Sequence, residues 1–220
     1  MNSRDRTVIF DVDGTLMDTN YHHAIAWFRA LRGKDVTVPV WRIHRAIGMG
    51  GDRLVGHVAG DDVEAEHGDW LRDQWKHEYE QLIDEVTLLP GARDLLVTAK
   101  DEGLRVALSS SGDPDHVSHY LDLLDARDLA DDWTTAADAD TSKPAPDLVH
   151  NALDKVGGRE AVLVGDSVWD CDAARAAGLP CVAVLTGGFS AAELRDAGAT
   201  AVFDGLPELI ESLRSLPFGG

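Results

Sequence analysis

Five short apolar runs set the fold class of this 220-residue chain. They are "TVIFD" (7–11), "LRVALSS" (104–110), "EAVLVGD" (160–166), "PCVAVLT" (180–186) and, more weakly, "TAVFD" (200–204). Each is rich in branched residues and almost unbroken in hydrophobicity, the pattern of parallel strands covered on both faces. Between the later runs lie segments with helical spacing, at 91–103, 113–125, 145–157 and 167–178, several closed by Gly. Strand–helix alternation of this kind predicts an α/β protein built on a doubly wound parallel sheet.

Residues 18–86 break that rhythm. "NYHHAIAWFRALRG", "VPVWRIHRAIG", "GDRLVGHVAG" and "VEAEHGDWLRDQWKHEYEQLIDE" read as helices with no strand among them. The expected organisation is therefore a core domain of residues 1–17 and 87–220 with an inserted α-helical cap domain, 18–86. Pro90 and Gly91 punctuate the return to the sheet. An insert at that point overhangs the carboxyl ends of the strands, where open α/β sheets bind ligands. Trp41, Trp70 and Trp75 are expected in the core of the insert, and the tail "PFGG" is expected to fray.

The first strand runs straight into Asp11, with Asp13 two residues later. On an extended chain, residues i and i+2 face the same way. Two carboxylates in one pocket repel unless a cation sits between them. Mg²⁺ suits this, since it prefers oxygen ligands and needs only one or two carboxylates beside waters and substrate oxygens. A calcium loop does not fit, because its sixth and twelfth positions would be Leu16 and His22 rather than Gly and Glu. A turn capped by two Asp residues remains open on this segment alone.

Other strand ends supply complementary groups. "VLVGDSVWD" places Asp166 at the end of a buried run, with Asp170 one helical turn on. If the two strands are adjacent, Asp166 arrives beside Asp11. "VALSSSGD" ends a strand in hydroxyls, so Ser110, Ser111 and the following amides can donate to an anion. "DTSKPAPD" holds Lys143 against Pro144, where it can serve as a point charge for a phosphoryl oxygen or stay a solvated loop residue.

Four pieces in this order, "DVDGT", "LSSSG", "SKPAPD" and "GDSVWD", resemble the haloacid dehalogenase superfamily, with its Rossmann-like core and helical cap. Within it the chain resembles the phosphoglycolate phosphatase and β-phosphoglucomutase branch. The resemblance implies Asp11 as the nucleophile that forms an aspartyl-phosphate, and Asp13 as general acid and base. It implies Mg²⁺ bound by Asp11, Asp166 and the Asp13 carbonyl, with Asp170 in support, and phosphoryl oxygens held by Ser110, Ser111 and Lys143. Dehalogenases lack the second Asp of the first motif, so Asp13 favours phosphoryl transfer.

The reading that follows is an Mg²⁺-dependent phosphatase acting on a small phosphomonoester. A sugar phosphomutase is the alternative, because "DTNYHHAIAW" resembles the β-phosphoglucomutase type in Thr19, His23 and Trp27. Simple packing of His23 and Trp27 on one helix face is the competing explanation. A non-catalytic binding protein on the same fold is the third reading. "GMGGDR" is either a flexible turn or a specificity loop whose Arg53 reaches the far end of the substrate.

Net charge is -19, which repels nucleic acid and anionic membrane at long range. A local metal or Lys can still invert the field in one cleft. The expected partner is a small phosphorylated metabolite, with no nucleic acid or membrane involved. No run of about 18 apolar residues suits a membrane span, and the first ten residues do not resemble a secretory signal. A cytoplasmic monomer or homodimer is expected. Cys171 and Cys181 are expected to be small buried residues without a disulfide.

Overall fold

The computed structural model describes residues 6–139, 141–158 and 160–219. Residues 1–5 of the expected core domain lie outside that range. Six parallel strands form one sheet in the order β3-β2-β1-β4-β5-β6. They are β1 (Arg6–Asp11), β2 (Arg105–Ser109), β3 (Asp132–Thr134), β4 (Glu160–Gly165), β5 (Cys181–Val184) and β6 (Ala199–Phe203). The strand order reverses between β1 and its neighbours β2 and β4, the switch point at which such sheets bind ligands. β3 was not anticipated, because three residues flanked by Asp at an edge carry too little hydrophobic pattern to read.

Alternation along each strand sorts the helices. Val8, Phe10, Val106, Leu108, Val162 and Val164 share one buried layer, while Ile9, Ala107, Ala161, Leu163 and Ala183 belong to the other. Four helices come early: α1 (Asn20–Arg32), α2 (Val40–His44), α3 (Gly51–Ala59) and α4 (Asp61–Glu80). α5 (Ala92–Asp101), α6 (Pro114–Leu123) and α10 (Leu206–Ser212) cover the first layer. α7 (Asp147–Val156), α8 (Val168–Ala176) and α9 (Ala191–Ala197) cover the second. Asp11 shares the parity of Ile9, so it faces the side of α7 and α8, from which Lys143 and Asp170 reach it. Cys171 and Cys181 are both buried there as free thiols.

The helices α1–α4 pack on a third cluster built from Trp27, Leu31, Ile43, Leu54 and Leu71. The chain enters and leaves this layer side by side: Asp18 N donates to Thr87 O at 2.9 Å, and Leu89 N to Leu16 O at 2.9 Å. The expectation for its tryptophans is corrected in two cases. Trp41 is 69% exposed and Trp70 38%, whereas Trp75 is half-buried against the cluster. The helix expected over 38–48 is five residues long, so only Ile43 of α2 reaches the interior. Trp70 instead lies under the Lys34 ammonium, 4.4 Å from the ring centroid. Near the end of the tail, Gly219 and Ala161 of β4 exchange backbone hydrogen bonds of 2.6 and 3.1 Å. Gly220 lies outside the described residues.

Candidate active site

β1, β2 and β4 end at one rim of the sheet. Asp11 is level with Ser109, and Phe10 with Val164, so Asp13, Ser110 and Asp166 emerge side by side. Gly14 makes the tight turn after Asp13 with φ +78°, and a Cβ there would sit 2.2 Å from Asp166 Oδ2. Only glycine allows that backbone to approach the carboxylate. Thr186 Oγ1 fastens the turn by donating to Gly14 O at 2.6 Å.

Lys143 comes from the segment before α7 and is 1% exposed. Its Nζ donates to Asp11 Oδ1 and lies 2.8 Å from Asp170 Oδ1. The other Asp170 oxygen accepts from Ser167 Oγ at 2.6 Å and Ser167 N at 3.2 Å, closing the capping box of α8. Asp170 thereby ties the lysine to the start of the helix that follows Asp166. Thr15 Oγ1 donates toward Asp166 Oδ1 at 3.2 Å and toward Asp11 Oδ2 at 3.4 Å. Asn20 Nδ2 donates to Asp166 Oδ2 at 2.8 Å. Neither Thr15 nor Asn20 was anticipated, since a hydroxyl and an amide after a D-x-D turn carry no distinctive signal.

One oxygen each from Asp11, Asp166 and Asp170 lies within 4.8 Å of the others, and all three residues are buried. One ammonium is thus shared among three carboxylates. Burial drives the Asp11 carboxyl well above the ordinary carboxylate range; Lys143 opposes this, and Asp170, Asp166 and Asp13 add to it. Burial, then Asp170, pushes Asp166 up to about 7. Lys143 moves up despite its burial, because Asp11 and Asp170 hold its charge. An all-oxygen set with a deficit of positive charge fits a hard divalent cation.

Lys143→Ala removes the one positive charge in this cluster. We expect a loss of about 3 kcal/mol in metal-free buffer at neutral pH, the low end for a broken buried pair because the acids can take up protons. A urea midpoint unchanged from the parent would contradict this.

Asp13 has a different environment. His23 Nε2 lies 2.9 Å from its Oδ1, and Ser110 Oγ donates to its Oδ2 at 2.9 Å. Burial alone would raise this carboxyl, but the bond from His23, then Ser110 and Thr19, outweighs it and holds the group below its usual value. His23 is stacked on Tyr79 with ring centroids 4.1 Å apart. Tyr79 is in turn hydrogen-bonded through its hydroxyl to Tyr120 of α6. The spacing of His23 and Trp27 was compatible with plain packing; the structure gives the imidazole a carboxylate partner as well.

Asp11, Asp13, Ser111 and Lys143 line a cleft of about 410 Å³ between the sheet rim and α1–α4. The opposite wall carries Trp27, Asp52, Arg72, Trp75 and Lys76. The glycine-rich turn docks on the lysine-bearing segment: Gly50 N donates to Ser142 Oγ at 3.1 Å, and that hydroxyl donates to Asp52. Arg53 departs from expectation. It is exposed and absent from the cleft lining, since the first turn of α3 points Asp52 inward and Arg53 outward. The guanidinium on the wall belongs to Arg72 of α4, a full helix further along the chain. His44 of α2 bonds Gly187 O at 3.0 Å and joins α2 to the loop after β5.

Residues 6–178 match the family model of haloacid dehalogenase-like hydrolases. The chain belongs to that family. Among its relatives is a phosphoglycolate phosphatase of Yersinia pseudotuberculosis, 32% identical over 83% of this chain and 82% of that protein. The chloroplastic protein SUPPRESSOR OF QUENCHING 1 of Arabidopsis thaliana is 31% identical over 97% of this chain, which spans only 21% of that longer protein. The crystal structure of a hydrolase from Pseudomonas syringae superposes with a TM-score of 0.90 at 33% identity, covering 96% of this chain and 99% of that one. The chain is thus a haloacid dehalogenase-like hydrolase. The reading as a non-catalytic binding protein gives way to the enzyme. No helix among the described residues is long and apolar enough to cross a membrane.

Proposed function

We propose that the protein is an Mg²⁺-dependent phosphatase that hydrolyses a small phosphomonoester through an aspartyl-phosphate on Asp11. The observation that carries this reading is the meeting of Asp11, Asp166 and Lys143 at one rim, with Asp13 held apart on His23 and Ser110. Residues 1–17 and 87–220 would form the catalytic core, and 18–86 the cap.

In the first step an Asp11 carboxylate oxygen attacks phosphorus, and the bond from phosphorus to the ester oxygen breaks. Asp13 gives its proton to that departing oxygen. In the second step Asp13 takes a proton from water, whose oxygen attacks phosphorus and releases inorganic phosphate from Asp11. Lys143 and the Ser110–Gly112 turn orient the phosphoryl oxygens and offset their charge. Asp11, Asp166 and the Asp13 carbonyl would hold Mg²⁺, which supplies charge neutralisation on those oxygens. Asp13 must be protonated to act as acid, so its bond to His23 has to yield when substrate enters. The expected result is phosphate release from p-nitrophenyl phosphate with Mg²⁺, abolished by EDTA and restored by excess Mg²⁺. Turnover indifferent to EDTA would sink the metal assignment.

The contact between His23 and Asp13 also supports a second reading, a sugar phosphomutase in which Thr19 and His23 restrain the general acid until sugar phosphate binds. Conversion of glucose 1-phosphate to glucose 6-phosphate would favour it. Release of inorganic phosphate alone would remove it.

A further inference from the structure

Resting on the phosphatase reading, we propose that the cleft selects a phosphomonoester with a hydroxyl-rich body, a sugar or polyol phosphate, and disfavours one that carries a carboxylate. Size comes first. The cleft of about 410 Å³ has room beyond its phosphoryl end for a body larger than a two-carbon acid.

Charge comes second. The two cations on the cap wall are already committed. Arg72 reaches Glu64 Oε1 at 2.8 Å, Asp69 Oδ1 at 2.9 Å and Gly51 O at 3.1 Å. Lys76 reaches Asp113 Oδ2 at 2.8 Å and Asp115 Oδ2 at 3.8 Å. The same cleft is lined by the carboxylates of Asp52, Asp73 and Asp113. An incoming carboxylate would have to displace one of these acids from its cation while facing the rest.

The unspent group comes third. Asp73 makes no ion pair among the described residues and can only accept hydrogen bonds. A carboxylate offers it nothing, whereas a hydroxyl can donate to it. Trp75, half-buried and stacked 5.3 Å from Trp27 at 15°, adds an apolar surface to the cleft.

The test measures kcat/KM for phosphate release, with Mg²⁺, from p-nitrophenyl phosphate, 2-phosphoglycolate, phosphoethanolamine and a hexose 6-phosphate. We expect the hexose phosphate to exceed phosphoglycolate by about tenfold, a gap of about 1.4 kcal/mol. A best rate with phosphoglycolate or phosphoethanolamine overturns the proposal, while turnover of p-nitrophenyl phosphate leaves the phosphatase reading standing. No turnover of any of the four overturns both. Asp73→Lys, at an exposed position of α4, gives a second readout. It is expected to shift the ratio roughly fivefold towards phosphoglycolate, and an unshifted ratio in a folded variant counts against the proposal.

Discussion

Asp11→Asn is expected to lose turnover by about 10⁴-fold or more and yet to be more stable than the parent in metal-free buffer at neutral pH. An amide oxygen cannot form the acyl phosphate. The stability gain follows from the sign of the Asp11 shift. Its folded-state pKa is raised, by burial first, so above the ordinary carboxylate range the charged form weighs against folding. Asparagine has no charge to desolvate. Lys143 retains Asp170 at 2.8 Å, so the substitution does not strand the ammonium. Activity and stability pulling in opposite directions is what a group strained for chemistry predicts. A variant equally slow but less stable would mark Asp11 as a structural anchor for Lys143. Full turnover would end its assignment as nucleophile.

The parts of this site that the sequence reveals are those fixed by strand geometry. Asp11, Ser110 and Asp166 each end an apolar run, and parallel strands of similar length must bring such ends to one rim. The fold class follows from the same runs, because alternating parity assigns Val8 and Ile9 to opposite layers before any helix is placed. What periodicity does not carry is how the inserted helices cross the rim. The sequence points to Arg53, and the docking of Asp52 onto Ser142, 90 residues away, leaves that side chain outward. Trp41 was misplaced for a related reason: a one-turn helix has too few positions to define a buried face. Asn20 reaches Asp166 across 146 residues, and His23 reaches Asp13 by a side-chain choice that packing alone would also have explained.

A divalent cation should stabilise the protein, and by more at pH 8 than at pH 5. Asp166 is held up to about 7, against an ordinary value of 3.8. Between those limits the folded state binds its proton more tightly than the unfolded chain. Stability from this group is therefore present at low pH and is lost as pH rises from about 4 to about 7, on the order of 4 kcal/mol in all. The raised Asp11 carboxyl works in the same direction. A cation bound to the ionised carboxylates reverses the loss, because it binds the folded state and competes with the protons only where they are still held. Thermal midpoints in EDTA should fall from pH 5 to pH 8, and millimolar Mg²⁺ should recover most of the difference at the upper end. Asp166→Asn should flatten the metal-free profile and weaken the Mg²⁺ response. An Mg²⁺ shift of equal size at both pH values would mean that the ion binds away from these carboxylates, and the shared-cation account of why three buried acids tolerate one lysine would fail.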